Sequence, residues 1–188
     1  MPRSLTDAPL RTKQAGRGLL FALAAVCLGA CGDHAGEGKD CPEAARARSV
    51  SGFCVPRWVS LKRGEVMGRK GPGKDYPALW IYHVQGLPVQ VVAETEEWRR
   101  ICDPDGGATW VHRSMVDGRR TVMSLAPAPA PLRRAPRAEA PINGLLNGRA
   151  LAALGRCRGD WCKVGAGGVT GWLQTSQTWG LAAAAQCR

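Results

Sequence analysis

The sequence predicts an all-β protein made of two tandem small β-barrels, and three observations support this fold class. Two stretches of the chain repeat one another at an offset of 62 to 64 residues. Within each stretch, apolar and polar residues alternate in short runs bounded by Gly, Pro and Asp. The chain also has eight cysteines. Domains of about 50–60 residues bury too little apolar surface to rely on the core alone, so disulfide staples are expected.

The repeat is carried by arginine, proline and tryptophan. Arg69 matches Arg133 at an offset of 64, and Trp98 matches Trp161 at an offset of 63. Three further pairs follow the same register: Pro72 and Pro136, Pro77 and Pro141, and Trp110 and Trp172. The offset drifts by single-residue changes, as it does between tandem copies, and self-similarity at one period marks a duplicated unit.

Each unit is predicted to contain short antiparallel strands joined by tight turns. In the first unit we expect strands over 87–93, 98–102 and 109–112, with turns at 95–97 and 103–107. The second unit has corresponding strands over 150–157, 161–165 and 171–173. Neither unit contains a segment with a convincing helical period of 3.6.

The N-terminal segment has the order of a secretory signal. Four basic residues precede an uncharged run, 18–32, that is shorter than the about 20 apolar residues a membrane span requires. A short buried helix is the alternative, but the run is apolar on every side. We therefore expect residues 1–30 to be a signal peptide and the protein to be exported, to the periplasm or as a membrane-anchored lipoprotein.

The end of the apolar run, Leu28-Gly29-Ala30-Cys31, resembles a bacterial lipobox. The resemblance implies cleavage before Cys31 and attachment of a diacylglycerol to its sulfur, which would anchor the protein to a membrane. The alternative is cleavage at a nearby small residue, which would release a soluble periplasmic protein.

The chain is strongly basic, with a formal net charge of +11. Removing residues 1–30 would take away four of the 26 basic residues and one of the 15 acidic ones, leaving a net charge of +8. Outside the cytosol the available polyanions are lipid headgroups and cell-wall polymers, so we expect no nucleic-acid partner. General solubility is an equally good explanation of the charge.

Composition divides the rest of the chain into four parts. Residues 31–55 are polar and are predicted to be a flexible tether, followed by a first barrel over 56–122. The Pro/Ala stretch 123–131 is predicted to be a semi-rigid linker, because alternating prolines favour polyproline II. The second barrel is then expected over 132–188.

These positions resemble the bacterial SH3 domain family, whose pattern has an opening Arg-x-Gly-Pro-Gly, later Pro and Gly, a strand Trp and a closing Gly-Trp. The first copy has Arg69–Gly73, Pro77, Gly86, Trp98 and Trp110. The second copy has Arg133, Pro136, Pro141, Gly148, Trp161 and Gly171-Trp172. The resemblance covers residues 56–181 and implies two SH3-like barrels.

Both copies depart from the family pattern beside the groove that family members use. The second copy has Ala135-Pro136-Arg137 in place of Gly-Pro-Gly, and the first has Thr109 where Gly precedes the closing Trp.

Six cysteines remain if Cys27 is cleaved off and Cys31 is acylated, and in an exported chain they favour disulfides. Cys157 and Cys162 flank a turn between strands that should pair. The repeat aligns them with Glu94 and Arg99, which would form an opposite-charge pair at the same place. The other four allow three pairings, of which we favour Cys54–Cys102 and Cys41–Cys187. Zinc is a weaker alternative, because the chain has no Cys-x2-Cys and its histidines are scattered.

The sequence indicates binding and not catalysis, with no cofactor and no metal. The recognised motifs for phosphate loops, serine nucleophiles and metalloproteases are missing from it. Trp80 and Tyr82 lie on one face of a predicted strand, and with Arg69 and Trp98 they are the candidate ligand-binding residues. The paired tryptophans (Trp98, Trp161, Trp110 and Trp172) are expected mainly in the cores, since barrels this small need them.

Three functional hypotheses follow. The first is a cell-envelope module that recognises peptidoglycan or its peptides through SH3-like grooves. The second is a periplasmic scaffold that contacts another envelope protein, and the third is an accessory to a separate cell-wall enzyme.

Overall fold

The structure is a computed structural model that describes Cys41 and residues 47–187. The expected signal peptide (1–30) and the expected lipid site at Cys31 lie outside the described residues. A two-strand hairpin, β1 (Ala47–Arg48) and β2 (Cys54–Val55), occupies part of the segment expected to be a tether. In the part of the chain that is described, no helix has the length and apolarity needed to cross a membrane.

The first barrel is one antiparallel seven-stranded sheet. Its strands are β3 (Arg57–Leu61), β4 (Val66–Arg69), β5 (Ala78–Tyr82), β6 (Pro88–Glu94), β7 (Trp98–Cys102), β8 (Ala108–His112) and β9 (Val116–Asp117). The sheet order is β5-β4-β8-β7-β6-β3-β9, and a 3-10 turn over 113–115 separates β8 from β9. The three strands expected from the alternating pattern are therefore present; β7 and β8 each bury mainly one face, whereas the first half of β6 is buried on both.

The second barrel repeats this topology strand for strand. Its strands are β10 (Thr121–Ser124), β11 (Ala130–Arg133), β12 (Ile142–Leu146), β13 (Leu151–Arg158), β14 (Trp161–Ala166), β15 (Val169–Gln174) and β16 (Thr178–Trp179). The order β12-β11-β15-β14-β13-β10-β16 matches the first barrel position by position. The duplicated unit predicted from the repeat is thus an all-β barrel in both copies.

The boundary between the barrels lies earlier than composition suggested. Strand β10 equals β3 of the first barrel and pairs with β13 and β16, so residues 118–120 join the two barrels. The stretch 123–131 is not an interdomain linker but the end of β10, a loop and the start of β11. The Leu125 N–H donates to the Gln177 carbonyl at 2.8 Å, which fixes this loop against its own barrel. A proline-rich loop and a proline-rich linker have the same composition, so the sequence did not separate them.

Aliphatic side chains, and not the paired tryptophans, fill the two cores. In the first core Val89, Val91, Ile101 and Val111 are fully buried, and the second core contains Val122, Ala152, Val164 and Leu173. Alternation along β7 and β8 turns Ile101 and Val111 inward, which leaves Trp98 and Trp110 half-buried on the other face. Trp172 is the one of the four that is buried, at 5% exposure.

The two barrels pack against one another through tryptophans. The rings of Trp58 and Trp179 meet edge to face at 5.0 Å, and the Trp179 indole N–H donates to the Pro88 carbonyl at 2.8 Å. Met123 of β10 is buried within the core of the first barrel. The first barrel therefore shares part of its core with the second.

The C-terminal tail returns from the second barrel to the first. The Trp58 indole donates to the Ala182 carbonyl at 2.7 Å, and Gln90 donates to the Ala184 carbonyl at 2.8 Å. The Gln186 N–H donates back to the Gln90 side-chain oxygen at 2.8 Å. The disulfide between Cys102 and Cys187 completes this attachment.

The structure corrects two of the expected disulfides and confirms the third. The pairs are Cys41–Cys54, Cys102–Cys187 and Cys157–Cys162. The expected Cys54–Cys102 and Cys41–Cys187 pairings are wrong because the tail reaches β7 itself. All six cysteines that were expected to form disulfides do so.

The hairpins β6–β7 and β13–β14 confirm that a charge pair and a disulfide occupy equivalent positions. Glu94 pairs in register with Arg99, as Cys157 does with Cys162. The Glu94 carboxylate has no exposed side-chain surface and contacts Arg57 at 2.6 Å and Arg99 at 2.7 Å. The hydroxyls of Ser49 and Ser51 also donate to it, which ties the β1–β2 segment to the barrel.

Candidate functional site

The structure divides the four candidate ligand-binding residues between two grooves of the first barrel. Trp80 and Tyr82 lie in a groove of about 510 Å³, and Arg69 and Trp98 lie in another of about 480 Å³. We call these the Trp80 groove and the Trp98 groove. The Trp80 groove is lined by Trp80, Ile81, Tyr82, His83, Val84, Leu87, Asp103, Pro104, Asp105, Gly107 and Arg149. The Trp98 groove is lined by Glu65, Met67, Arg69, Lys74, Trp98, His112 and Met115.

A buried polar cluster forms the floor of the Trp80 groove. The Tyr82 hydroxyl donates to Asp103 Oδ2 at 2.9 Å and shares a hydrogen bond with the Thr109 hydroxyl at 3.0 Å. Asp103 Oδ1 accepts the N–H groups of Asp105 at 3.0 Å and Gly107 at 2.8 Å. All three side chains are at most 9% exposed, so the carboxylate is held in one orientation.

The pKa of Tyr82 is raised to about 12, mainly by burial and also by the nearby charge of Asp103, although hydrogen bonds with Thr109 and Trp80 act to lower it. The phenol therefore remains a neutral hydrogen-bond donor throughout the physiological range. It keeps its proton for the Asp103 carboxylate and is not available as a base.

The cluster depends on Gly68 and has no counterpart in the second barrel. A Cβ on Gly68 would lie 2.8 Å from the Thr109 hydroxyl, so only glycine leaves room for it. Strand register places four apolar residues at the equivalent positions of the second barrel: Leu132, Leu146, Ala166 and Gly171. Thr109, which departs from the family pattern, thus belongs to a polar site that only the first barrel has.

Trp80 covers this floor from strand β5. It is 41% exposed, and its ring meets Tyr82 edge to face at a centroid distance of 6.2 Å. A Cβ on Gly107 would lie only 2.6 Å from the Trp80 ring, so the indole fits over a bare backbone. In the second barrel the large and small residues are exchanged, because Gly144 occupies the position of Trp80 and Val169 the position of Gly107. A Cβ on Gly144 would lie 2.8 Å from the Val169 side chain.

Arg149 of the second barrel completes the wall of the Trp80 groove. It has φ +59°, in the left-handed region that favours glycine, and strand register aligns it with Gly86, whose φ is +79°. The sequence instead matched Gly86 with Gly148, one residue away. The Arg149 guanidinium donates to both oxygens of Asp105 at 2.9 and 3.0 Å. A strained arginine at a position where the other copy has glycine points to a role for its side chain.

The Trp98 groove is more basic, because Arg69 and Lys74 line it with Glu65 as its one acidic residue. Arg69 donates to the Tyr76 carbonyl at 2.7 Å, and the Trp98 ring meets His112 edge to face at 5.5 Å. His112 also contacts Glu97 at 2.9 Å. This hydrogen bond from His112 lowers the pKa of Glu97, and the charge of Arg113 adds to the effect.

The equivalent groove of the second barrel is nearly closed. It measures about 110 Å³ and contains Arg133 and Trp161, the counterparts of Arg69 and Trp98. Ala138 and Gln174 stand where the first barrel has Lys74 and His112. Of these two equivalent grooves, the one on the first barrel is therefore the larger and the more charged.

Sequence reasoning found Trp80 and Tyr82 but missed Asp103, Thr109 and Arg149. Thr109 was visible as a departure from the family pattern, and that was the available signal. Asp103 resembled an ordinary turn residue, and Arg149 belongs to the other barrel, so no local pattern linked either to Trp80.

A comparison with protein families agrees with this architecture. The family model described as bacterial SH3 domain matches twice, at residues 62–118 and 126–180. Two solved structures, NlpC2 and NlpC1 from Trichomonas vaginalis, are 8% identical with a TM-score of 0.30 each. The alignments cover 66% and 65% of this chain but only 48% and 45% of those proteins. A comparison with curated proteins finds no match.

Proposed function

We propose that this chain, which belongs to the bacterial SH3 domain family, is a cell-envelope binding module that recognises peptidoglycan peptides through the Trp80 groove. Three disulfides support an oxidising location outside the cytosol. The Trp80 groove has the composition of a ligand site: an exposed aromatic wall, aliphatic sides and a few fixed polar groups.

The buried Tyr82–Asp103–Thr109 cluster is the observation that carries this proposal. An apolar floor gives the second barrel a stable fold at the same positions, so the fold does not require the polar groups. Buried polar networks are less favourable than apolar packing unless every member is satisfied. Their presence beneath an exposed tryptophan in one barrel supports selection for ligand recognition there.

We further propose that the chain binds without catalysing a reaction. Asp103 is hydrogen-bonded to Tyr82 and to two backbone N–H groups, so its lone pairs are largely occupied. Such a carboxylate suits positioning and electrostatic recognition better than proton transfer.

Co-sedimentation of the oxidised protein with purified sacculi tests the proposal. Trp80→Ala should reduce retention about tenfold, because losing the stacking contact with an exposed aromatic ring weakens binding by about a factor of ten. Leu79→Ala is the matched control, because Leu79 is 45% exposed on the same strand but on its other face. Retention that is equal in both variants and disappears with moderate salt would show that net charge alone causes binding.

A protein partner is the second candidate function, supported by the outer face of the edge strand β5. Leu79 and Ile81 are 45% and 40% exposed there, and the adjacent Met67 is 42% exposed. Edge strands without charged residues are prone to pairing with other chains. Crosslinking from Leu79 to one specific envelope protein, with no retention on sacculi, would favour this function over wall recognition.

We propose a lipid on Cys31 as the membrane attachment. Its support is the lipobox-like sequence and the position of Cys31 at the end of the apolar run. Cys31→Ser should move the protein from the membrane fraction to the soluble fraction, and unchanged fractionation would contradict the lipid anchor.

A further inference from the structure

We infer that the Trp80 groove recognises a free amino-acid zwitterion, whose carboxylate binds Arg149 while its ammonium binds Asp105. The inference rests on the proposed function and names its ligand group. In wall peptides this group is the unlinked end of a diamino acid, where one carbon carries both a free ammonium and a free carboxylate.

Asp105 and Arg149 already form an ion pair at the wall of the Trp80 groove. Asp105 and Arg149 belong to different barrels and form two parallel hydrogen bonds at 2.9 and 3.0 Å. Their side chains are 70% and 62% exposed, so the pair is solvated and contributes little stability. Opening this pair therefore costs little.

The charges of this pair match those of a zwitterion. A zwitterion offers one carboxylate and one ammonium, which can replace each partner of the Asp105–Arg149 pair without leaving a charge unpaired. A planar guanidinium binds a carboxylate through two parallel hydrogen bonds, as Arg149 does with Asp105. A ligand with only one of the two charges would leave either Asp105 or Arg149 unpaired.

Other residues of the Trp80 groove can contact the remainder of the ligand. Asp103 lies 4% exposed at the floor and adds negative charge on the side where the ammonium would bind. The Trp80 face can contact an ammonium and the aliphatic chain that follows it. Leu87 and Val84 supply apolar contacts along the groove.

The backbone at Arg149 is independent support. A left-handed conformation is unfavourable for arginine, and Gly86 shows that this turn forms without a side chain. The Arg149 side chain is therefore kept at a cost, and its contacts are with Asp105 in the groove. This makes the second barrel part of the site of the first.

Titration with a synthetic tripeptide, L-Ala-γ-D-Glu-meso-diaminopimelate, tests the inference on the oxidised protein. Two capped forms of this peptide remove one charge each, by amidation of the carboxylate or acetylation of the amine at the unlinked carbon of diaminopimelate. We expect each cap to weaken binding at least about tenfold, because each removes a charge-assisted hydrogen bond. Equal binding of all three peptides would overturn the inference.

Arg149→Gly supplies the matching change in the protein. Glycine suits the backbone at this position, so the variant should fold, and circular dichroism checks this. It should bind the uncapped peptide about tenfold more weakly, and amidation should then cause no further loss. Arg134→Ala, which removes an exposed arginine elsewhere, should leave binding unchanged. Full affinity in Arg149→Gly, or no binding of the tripeptide to the parent protein, would overturn the inference.

The two proposals fail separately. If sacculus retention depends on Trp80 but neither the caps nor Arg149→Gly has an effect, the wall-binding function stands and the zwitterion site is wrong. If sacculi are not retained at all, the proposed function fails first.

Discussion

The two barrels have the same topology but differ in what they place beneath the edge strand. In the first barrel Gly68 and Gly107 leave space for a polar floor and for Trp80. In the second, Leu132 and Val169 fill the same space with apolar atoms. The comparison shows that a duplicated fold can keep one copy for packing while the other acquires a site, because only a few large-for-small exchanges are needed.

The barrels also differ in how their equivalent hairpins are held. The first uses the buried Glu94–Arg99 pair, which titrates, and the second uses the Cys157–Cys162 disulfide, which does not. The two hairpins should therefore be weakened by different changes, the first by acid and the second by loss of the Cys157–Cys162 disulfide.

Removing the Cys102–Cys187 disulfide should have the largest effect on stability. This bond closes a loop of 85 residues, whereas Cys157–Cys162 closes one of only five. Restriction of the unfolded chain predicts losses of about 4–5 kcal/mol for the double alanine variant of the first and about 2 kcal/mol for the second. Urea unfolding measures both, and equal losses would contradict the assignment of the tail to the first barrel.

Glu94→Gln should destabilise the first barrel by about 3 kcal/mol, because Arg57 and Arg99 would remain close together without their shared carboxylate. The loss is measured by urea unfolding with all three disulfides intact. A change below about 0.5 kcal/mol would show that the pair is no more than an ordinary surface contact.

The same carboxylate predicts a pH dependence. Burial alone would raise the pKa of Glu94, but hydrogen bonds from Arg57 and Ser51 and the charges of Arg57 and Arg99 lower it. Its stabilising contribution is thus present above the unfolded pKa of about 4.3 and is lost as pH falls through the lower folded value. Residue-resolved hydrogen exchange should show acid opening the β6–β7 hairpin before β13–β14, and the Cys157→Ala/Cys162→Ala variant should show the reverse order at neutral pH.

Gly107→Val should destabilise the protein by about 1–3 kcal/mol, because the new side chain would overlap the Asp103 carboxylate and the Trp80 ring. Adding Trp80→Gly reproduces the pair found in the second barrel and should recover the part of the loss that comes from the ring. Thermal unfolding of the two single variants and the double variant gives the coupling. Additive effects would mean that the side chains at positions 80 and 107 do not occupy the same space.

The smallest expected effects are at the left-handed turns. Gly86→Ala should cost about 1 kcal/mol, since alanine is unfavourable there and its Cβ would meet nothing closer than 3.8 Å. Arg149→Gly should leave stability unchanged or raise it by up to about 1 kcal/mol, because strain relief offsets a weak surface pair. Thermal shifts of opposite sign are expected, and a large loss in Arg149→Gly would contradict the assigned strain.

Much of the fold was predictable from sequence because strands, turns and duplication leave local patterns. The repeat offset placed Glu94 with Arg99 and Cys157 with Cys162 before any contact was known. The partner of Cys102 was not predictable, since it depends on the path of the tail after Trp179. The groove was only half predictable, because β5 supplies Trp80 locally whereas Arg149 reaches it from the other barrel.

Nuclear magnetic resonance of the seven tryptophan indole N–H groups tests the central claim most directly, since they are distributed over both barrels. The diaminopimelate tripeptide is titrated into the oxidised protein while these signals are followed. The account predicts that the Trp80 signal moves most, with little change at Trp161 and Trp172. A larger shift at Trp98 would move the site to the other groove, and shifts confined to Trp161 or Trp172 would contradict the assignment of ligand binding to the first barrel.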